Sequence, residues 1–297
     1  MRKAEVLIHT RTKQCDFPSQ FTVSPSMVDS DLMEKIRKQV LLSTSSIDSL
    51  PENEVRQLVY SCGNYVIAGM VSFLKNFADS NTDDERFFYD IKGRVIFAFV
   101  GLVFEKDETN QKIPTINKNI LWNIFKDNIS DIWERTVIEL KRGVTAELDF
   151  ENETPLEPSA KAENVLGVTM YLSGSDDSSI FSYWLSRALN GENVSFCSNI
   201  TDIRRVEDKQ FNVITTTANI IQRMKMEVSS AKKQNHSSQS HEHNSSSEKK
   251  TSESIEKTRL TVQTNSTDTL QTSLIIIAAV LLFIIITMTV LIIRLLT

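Results

Sequence analysis

Residues that commonly carry out chemistry are sparse in this sequence. Only four histidines occur. His236, His241 and His243 lie in a Ser-rich stretch in which nothing is expected to hold them as metal ligands. His9 precedes the region that we expect to fold, so a Ser-His or Cys-His pair has no base there. The GxxxxGKS, GxGxxG and HExxH motifs do not occur. We therefore expect a protein that is not an enzyme and binds no cofactor.

Carboxylates and cysteines add little to this inventory. The acidic runs 83–85 and 176–177 stand where we expect helices to begin, and acidic side chains at such positions cap a helix or favour its dipole. The cysteines form no CxxC pair, which argues against a disulfide framework or a zinc site; they are Cys15, Cys62 and Cys197. The net charge is −5 and the sequence has no basic stripe, so nucleic-acid binding is not expected.

The low content of turn residues favours a helical body. The chain has eight glycines and six prolines in 297 residues, and many short strands would need more turns. Residues 29–228 are expected to form one all-α domain, a helical bundle packed around a central helix. Residues 1–28 are expected to be a flexible arm, and residues 229–270, which are rich in Ser and Thr, a disordered linker.

Apolar residues at three- and four-residue steps predict the individual helices. Trp133, Val137, Leu140, Val144 and Leu148 form one stripe, which makes 133–148 the predicted central helix. The run from Val95 to Phe104 is apolar on all sides, so a strand is a rival interpretation there. The other predicted helices span 29–42, 52–77, 84–105, 116–125, 161–172, 178–189 and 206–228.

The C-terminal segment carries a membrane signal. Leu274 to Ile293 is a run of twenty residues without a charge, enough for a helix to cross a hydrocarbon core of about 30 Å. No apolar signal peptide precedes it. Residues 271–297 are therefore expected to form a tail anchor in the lipid bilayer, with the body in the cytosol.

A constellation in the middle of the chain resembles the first homology motif of the Bcl (B-cell lymphoma) apoptosis regulators. In the stretch NIFKDNISDIWERTVIEL, Phe125, Asp127, Trp133 and Arg135 occupy the places of that motif, followed by the apolar Val137. Ile132 and Glu134 depart from the usual Asn and Gly. The stretch YWLSRALNGENVSF is similar to the second motif, with matches at Trp184, Asn190 and Gly191.

Two further stretches follow the same family order. The segment GRVIFAFVGLVFEK resembles the third motif, the family's death-motif helix, through Phe97, Val100, Gly101 and Phe104. Leu102 stands where an Asp is usual. The segment SCGNYVIAG, from Ser61 to Gly69, is similar to the first helix of the Bok type of member, which favours the Bax, Bak and Bok branch of the family.

The resemblance implies a regulator of apoptosis at the outer mitochondrial membrane. Its surface groove would bind amphipathic helices of other family members, with Arg135 facing the partner's acid, and a homo- or heterodimer is possible. A pro-survival member of the same family and an unrelated tail-anchored helical adaptor stay open as alternatives. The endoplasmic reticulum is the alternative membrane.

Overall fold

The computed structural model describes residues 4–239 except 52, 79–81, 108–111, 152–154, 175, 203, 205, 207 and 209. Residues 1–235 form one compact unit and residues 236–297 a second. Of the second unit, the described part is the end of a helix that stops at Gln239.

The first unit is a mixed α/β fold, so the predicted all-α bundle is wrong. The strands are β1 Ala4–Thr10, β2 Val23–Ser24, β3 Arg56–Cys62, β4 Tyr65–Phe73, β5 Phe97–Glu105, β6 Ile113–Pro114, β7 Lys141–Arg142, β8 Phe150–Glu151, β9 Glu163–Val165, β10 Val168–Leu172, β11 Ser195–Ile200 and β12 Val213–Thr216. The α-helices are α1 Ser30–Thr44, α2 Leu74–Phe77, α3 Lys118–Ile129, α4 Asp177–Leu189 and α5 Ala218–Gln239. β1 and β2 lie within the expected flexible arm.

Ten strands form one sheet, whose two halves differ in strand direction. The order is β7-β2-β1-β5-β4-β3-β11-β12-β10-β9, and β6 pairs separately with β8. From β2 to β3 neighbouring strands are antiparallel. β11, β12 and β10 are parallel to one another, and antiparallel pairing of β11 with β3 joins the halves. The carboxyl ends of three parallel strands therefore meet at one edge.

Helices cover both faces of the sheet, because side chains along a strand alternate between the faces. In β5, Val100 belongs to the core under α3 and α4. Val103 belongs to the opposite core, under α1 and α5. α4 and α5, which both follow parallel strands, thus lie on opposite faces.

Three of the predicted helices are mainly strands. The predicted helix at 161–172 is the hairpin of β9 and β10. The apolar run Val95–Phe104 largely forms the central strand β5, which is buried on both faces and therefore shows no polar alternation. The predicted helix at 52–77 is mostly the hairpin of β3 and β4. Cys62 pairs with Tyr65 across a two-residue turn, and Gly63 there has φ +57°, as a type II′ turn requires.

The predicted central helix, 133–148, is also wrong. After α3 the chain turns and then runs beside β1, where Val6 N donates to Val144 O at 2.8 Å. Trp133 is buried nonetheless, at 1% exposure. Its ring packs edge-on against Phe87 at 4.9 Å between centroids. Of the apolar stripe, Trp133 thus anchors a loop in the core, whereas Val144 lies in the segment that runs beside β1.

The membrane prediction requires a correction as well. Among the described residues no helix is long and apolar enough to cross a bilayer. The segment Leu274–Ile293 itself lies outside the described residues. Placement in the outer mitochondrial or reticular membrane is withdrawn with the anchor.

Candidate functional site

A crevice opens at the carboxyl ends of the parallel strands. After β10 the chain enters α4 on one face, and after the neighbouring β12 it enters α5 on the other. Connections that leave adjacent parallel strands toward opposite faces open a crevice at which α/β proteins bind ligands. We call this cavity of about 480 Å³ the strand-end crevice; it is lined by Ser49, Pro51, Glu54, Ser173, Gly174, Asp177, Asn199, Ile200, Thr201 and Thr217.

Asp177, the first residue of α4, is the most perturbed carboxyl group in this crevice. Burial, and to a smaller extent the charges of Glu54 and Asp176, raise its pKa, and the net value is about 6. Hydrogen bonds act in the opposite direction: Gly174 N donates to Oδ1 at 3.2 Å, and the Thr215 hydroxyl also bonds to the carboxyl group. The Asp177 carboxyl group therefore keeps its proton to a higher pH than an ordinary aspartate does.

Hydroxyl and amide groups form the wall behind Asp177. The side chain of Thr215 is fully buried. Its Oγ1 accepts hydrogen bonds from Ser173 Oγ at 3.1 Å and from Asn199 N at 2.9 Å. On the opposite rim Ser49 Oγ and Thr201 Oγ1 lie 2.6 Å apart. These bonds hold the polar groups in place, which suits recognition of a polar ligand.

A second cavity adjoins the crevice across Ser173 and Gly174. Its volume is about 530 Å³, and it lies between the end of β10 and α5. Here Lys225 forms an ion pair with Glu163, so charges of both signs are present. The strand-end crevice differs, because no Lys, Arg or His is among its described lining residues.

Gly174 separates the two cavities. A Cβ atom added there would meet no atom within 4 Å, and its φ lies outside the left-handed region that favours glycine. Packing and backbone conformation therefore do not demand glycine at this position. A glycine also lets a ligand approach the backbone closely, and this is the role that the open space favours.

The residues predicted for a partner groove are not assembled into one. Phe125 and Trp133 are buried against Phe87 in an aromatic cluster. Asp127 lines a different cavity of about 580 Å³, beside α3. Arg135 pairs with Glu139 at 2.6 Å on the surface, and Val137 is 70% exposed. Trp184 lies half-buried on α4, while Asn190 and Gly191 are exposed at its end.

The predicted death-motif helix is the central strand β5. Phe97, Val100, Gly101 and Phe104 all lie on this strand, which pairs with β1 on one side and with β4 on the other. A Cβ atom on Gly101 would lie 2.7 Å from Phe99 Cζ and 2.9 Å from Ala68 O. Close packing within the sheet explains this glycine.

Neither Glu54 nor Gly174 is among the residues predicted from the sequence, and Asp177 is predicted there only as a helix-start residue. The signal lies in the order of the segments around it. A short apolar strand, Val168–Leu172, is followed by Ser-Gly-Ser-Asp-Asp and then by an amphipathic helix. A strand, a glycine and a helix start in that order are typical of a ligand-binding βα connection.

The chain matches no family model, no curated protein and no solved structure. The Bcl family is all-helical, whereas this chain is built on a ten-stranded sheet, so the resemblance is wrong. The predicted regulation of apoptosis through a helix-binding groove is wrong as well.

Proposed function

We propose that this protein binds a small polar molecule in the strand-end crevice. The observation that carries the proposal is the departure of α4 and α5 toward opposite faces from the neighbouring strands β10 and β12. This arrangement opens a cavity of about 480 Å³, within the range of small-molecule sites.

The lining supports a polar ligand in particular. Hydroxyl groups of Ser173, Thr201 and Thr217 and the carboxyl groups of Glu54 and Asp177 surround the cavity. The Asp177 carboxyl group accepts hydrogen bonds from Gly174 N and Thr215, and a polar ligand in the cavity could donate further hydrogen bonds to it. That the protein is not an enzyme and binds no nucleic acid stays a prediction.

Ligand-observed saturation-transfer NMR on the full chain tests the proposal. The probes are a set of polar fragments that includes cationic, neutral and anionic members. Gly174→Val should abolish the signals, because Gly174 lines the crevice and the added side chain would occupy open space beside it. Ser19→Val, an exposed position in a loop, adds apolar bulk elsewhere and should leave them unchanged.

Two results would count against the proposal. In one, no polar fragment binds the wild-type protein. In the other, fragments bind equally well to Gly174→Val and to Ser19→Val, which would place the binding site outside the crevice. Tryptophan fluorescence of both variants verifies that they are folded.

A further inference from the structure

The charged side chains among the described residues that line the strand-end crevice are all acidic. Glu54 and Asp177 line the same cavity, and no basic side chain is among its described lining residues. The charge of Glu54 raises the pKa of Asp177. The groups that act most strongly on Asp177 likewise include no Lys, Arg or His. Among the described residues that line this cavity, Asp177 and Glu54 therefore meet no cationic side chain. The hydrogen-bond partners of the Asp177 carboxyl group are neutral donors, Gly174 N and the Thr215 hydroxyl.

We infer that the ligand of this crevice carries a compact positive charge, an ammonium or guanidinium group, which lies between Asp177 and Glu54. The inference rests on the proposed function. An ammonium group donates three hydrogen bonds and a guanidinium group five, and the carboxylates and hydroxyl groups that line the crevice offer matching acceptors. An anionic ligand would meet two like charges instead, and a neutral one would leave them unpaired.

The charged groups around Asp177 come from several elements. Glu54 lies in the segment before β3, and Asp176 immediately precedes α4. Asp176 accepts a hydrogen bond from Ala160 N at 3.2 Å and belongs to the adjoining cavity. That cavity also holds Lys161 and the ion pair of Lys225 with Glu163.

Binding of a cation should therefore depend on pH. With a pKa of about 6, Asp177 is almost fully ionised at about pH 7.5, but only about a tenth of it is ionised at about pH 5. A ligand that needs the carboxylate should bind about tenfold more weakly at the lower pH, and binding should release protons near pH 6.

Isothermal titration calorimetry on the full chain tests the charge of the ligand with three probes of four carbons each. Putrescine is cationic, 1,4-butanediol is neutral and succinate is anionic. We expect putrescine alone to bind at about pH 7.5, and Asp177→Asn to weaken it at least tenfold. Glu54→Gln should weaken it as well. Glu34→Gln removes a charge from the exposed face of α1 and serves as the matched control.

The outcomes separate this inference from the proposed function. If butanediol or succinate binds as tightly as putrescine and Gly174→Val abolishes the binding, the charge inference is wrong and the crevice is still a ligand site. If putrescine does not bind, or binds Asp177→Asn as tightly as the wild type, the inference is overturned. The fragment measurement with Gly174→Val decides the proposed function independently.

Discussion

The substitution Asp177→Asn should stabilise the folded protein near neutral pH. The pKa of this carboxyl group rises from 3.8 in the reference state to about 6 in the folded protein. The folded state therefore holds the proton more tightly than the unfolded state does, and stability falls as the pH rises from about 4 to about 6. Below that window the penalty is absent; above it, the penalty is complete.

The size of the effect follows from the shift in pKa. A shift of about two units corresponds to at most about 3 kcal/mol. Because the crevice is open to solvent, screening reduces the expected penalty to about 1 to 2 kcal/mol. Asparagine cannot ionise and so avoids this penalty, and its amide oxygen can still accept the hydrogen bond from Gly174 N.

Urea unfolding followed by tryptophan fluorescence measures this difference. The three tryptophans, Trp122, Trp133 and Trp184, all belong to the unit of residues 1–235, so the signal reports on that unit. The free energy of unfolding of Asp177→Asn should exceed that of the wild type by about 1 to 2 kcal/mol at about pH 7.5. At about pH 4 the two values should be equal. A variant that is less stable than the wild type at the higher pH, or a difference that is the same at both, would refute the reasoning.

Three further predictions concern other positions. Gly174→Ala should raise the free energy of unfolding in urea by about 0.4 to 1 kcal/mol, because the substitution restricts only the unfolded chain. It should also weaken ligand binding. A loss of stability would contradict the open space beside Gly174. Gly101→Ala should cost about 1 to 3 kcal/mol in the same assay because of overpacking, and a neutral result would contradict the close contact with Phe99. Burial lowers the pKa of His9 from 6.5 to about 4. As the pH falls, the unfolded chain therefore binds the proton before the folded protein does. The free energy of unfolding should thus decrease by up to about 3 kcal/mol between about pH 6.5 and pH 4. His9→Phe should remove that part of the urea-measured pH dependence, and an unchanged pH profile would contradict it.

The helices with local signals were predictable from the sequence. α1 begins where Asp29 was expected to start a helix, and its Oδ1 accepts a hydrogen bond from Leu32 N at 2.9 Å. α4 lies almost where the apolar spacing placed it, at Asp177–Leu189. Capping and amphipathic spacing are local properties, so they can be read from a few neighbouring residues.

The sheet was not predictable in the same way. β5 is buried on both faces, so the alternation that identifies a half-exposed strand is missing. The low glycine content was interpreted as evidence against strands, yet the hairpins of this sheet need few glycines. The turn between β9 and β10 uses Leu166 and Gly167, both with positive φ, and a single glycine is enough there.

The crevice depends on contacts between distant parts of the chain. Glu54 precedes β3, whereas Asp177 begins α4 and Thr215 lies on β12. Only the pairing of β11 with β3 and β12 brings these three segments together. Each residue has an ordinary local explanation, and for Asp177 this was a helix start, so its raised pKa could not be expected from the sequence.

A crystallographic fragment screen tests the central claim most directly, because it shows where small polar molecules bind on the intact protein. We predict that polar fragments occupy the strand-end crevice, in contact with Asp177 and beside the backbone of Gly174. If fragments instead occupy the cavity beside α3, which is lined by Ile120, Asp127 and Glu147, while the crevice binds none, the claim that this protein binds its ligand at the strand ends is contradicted.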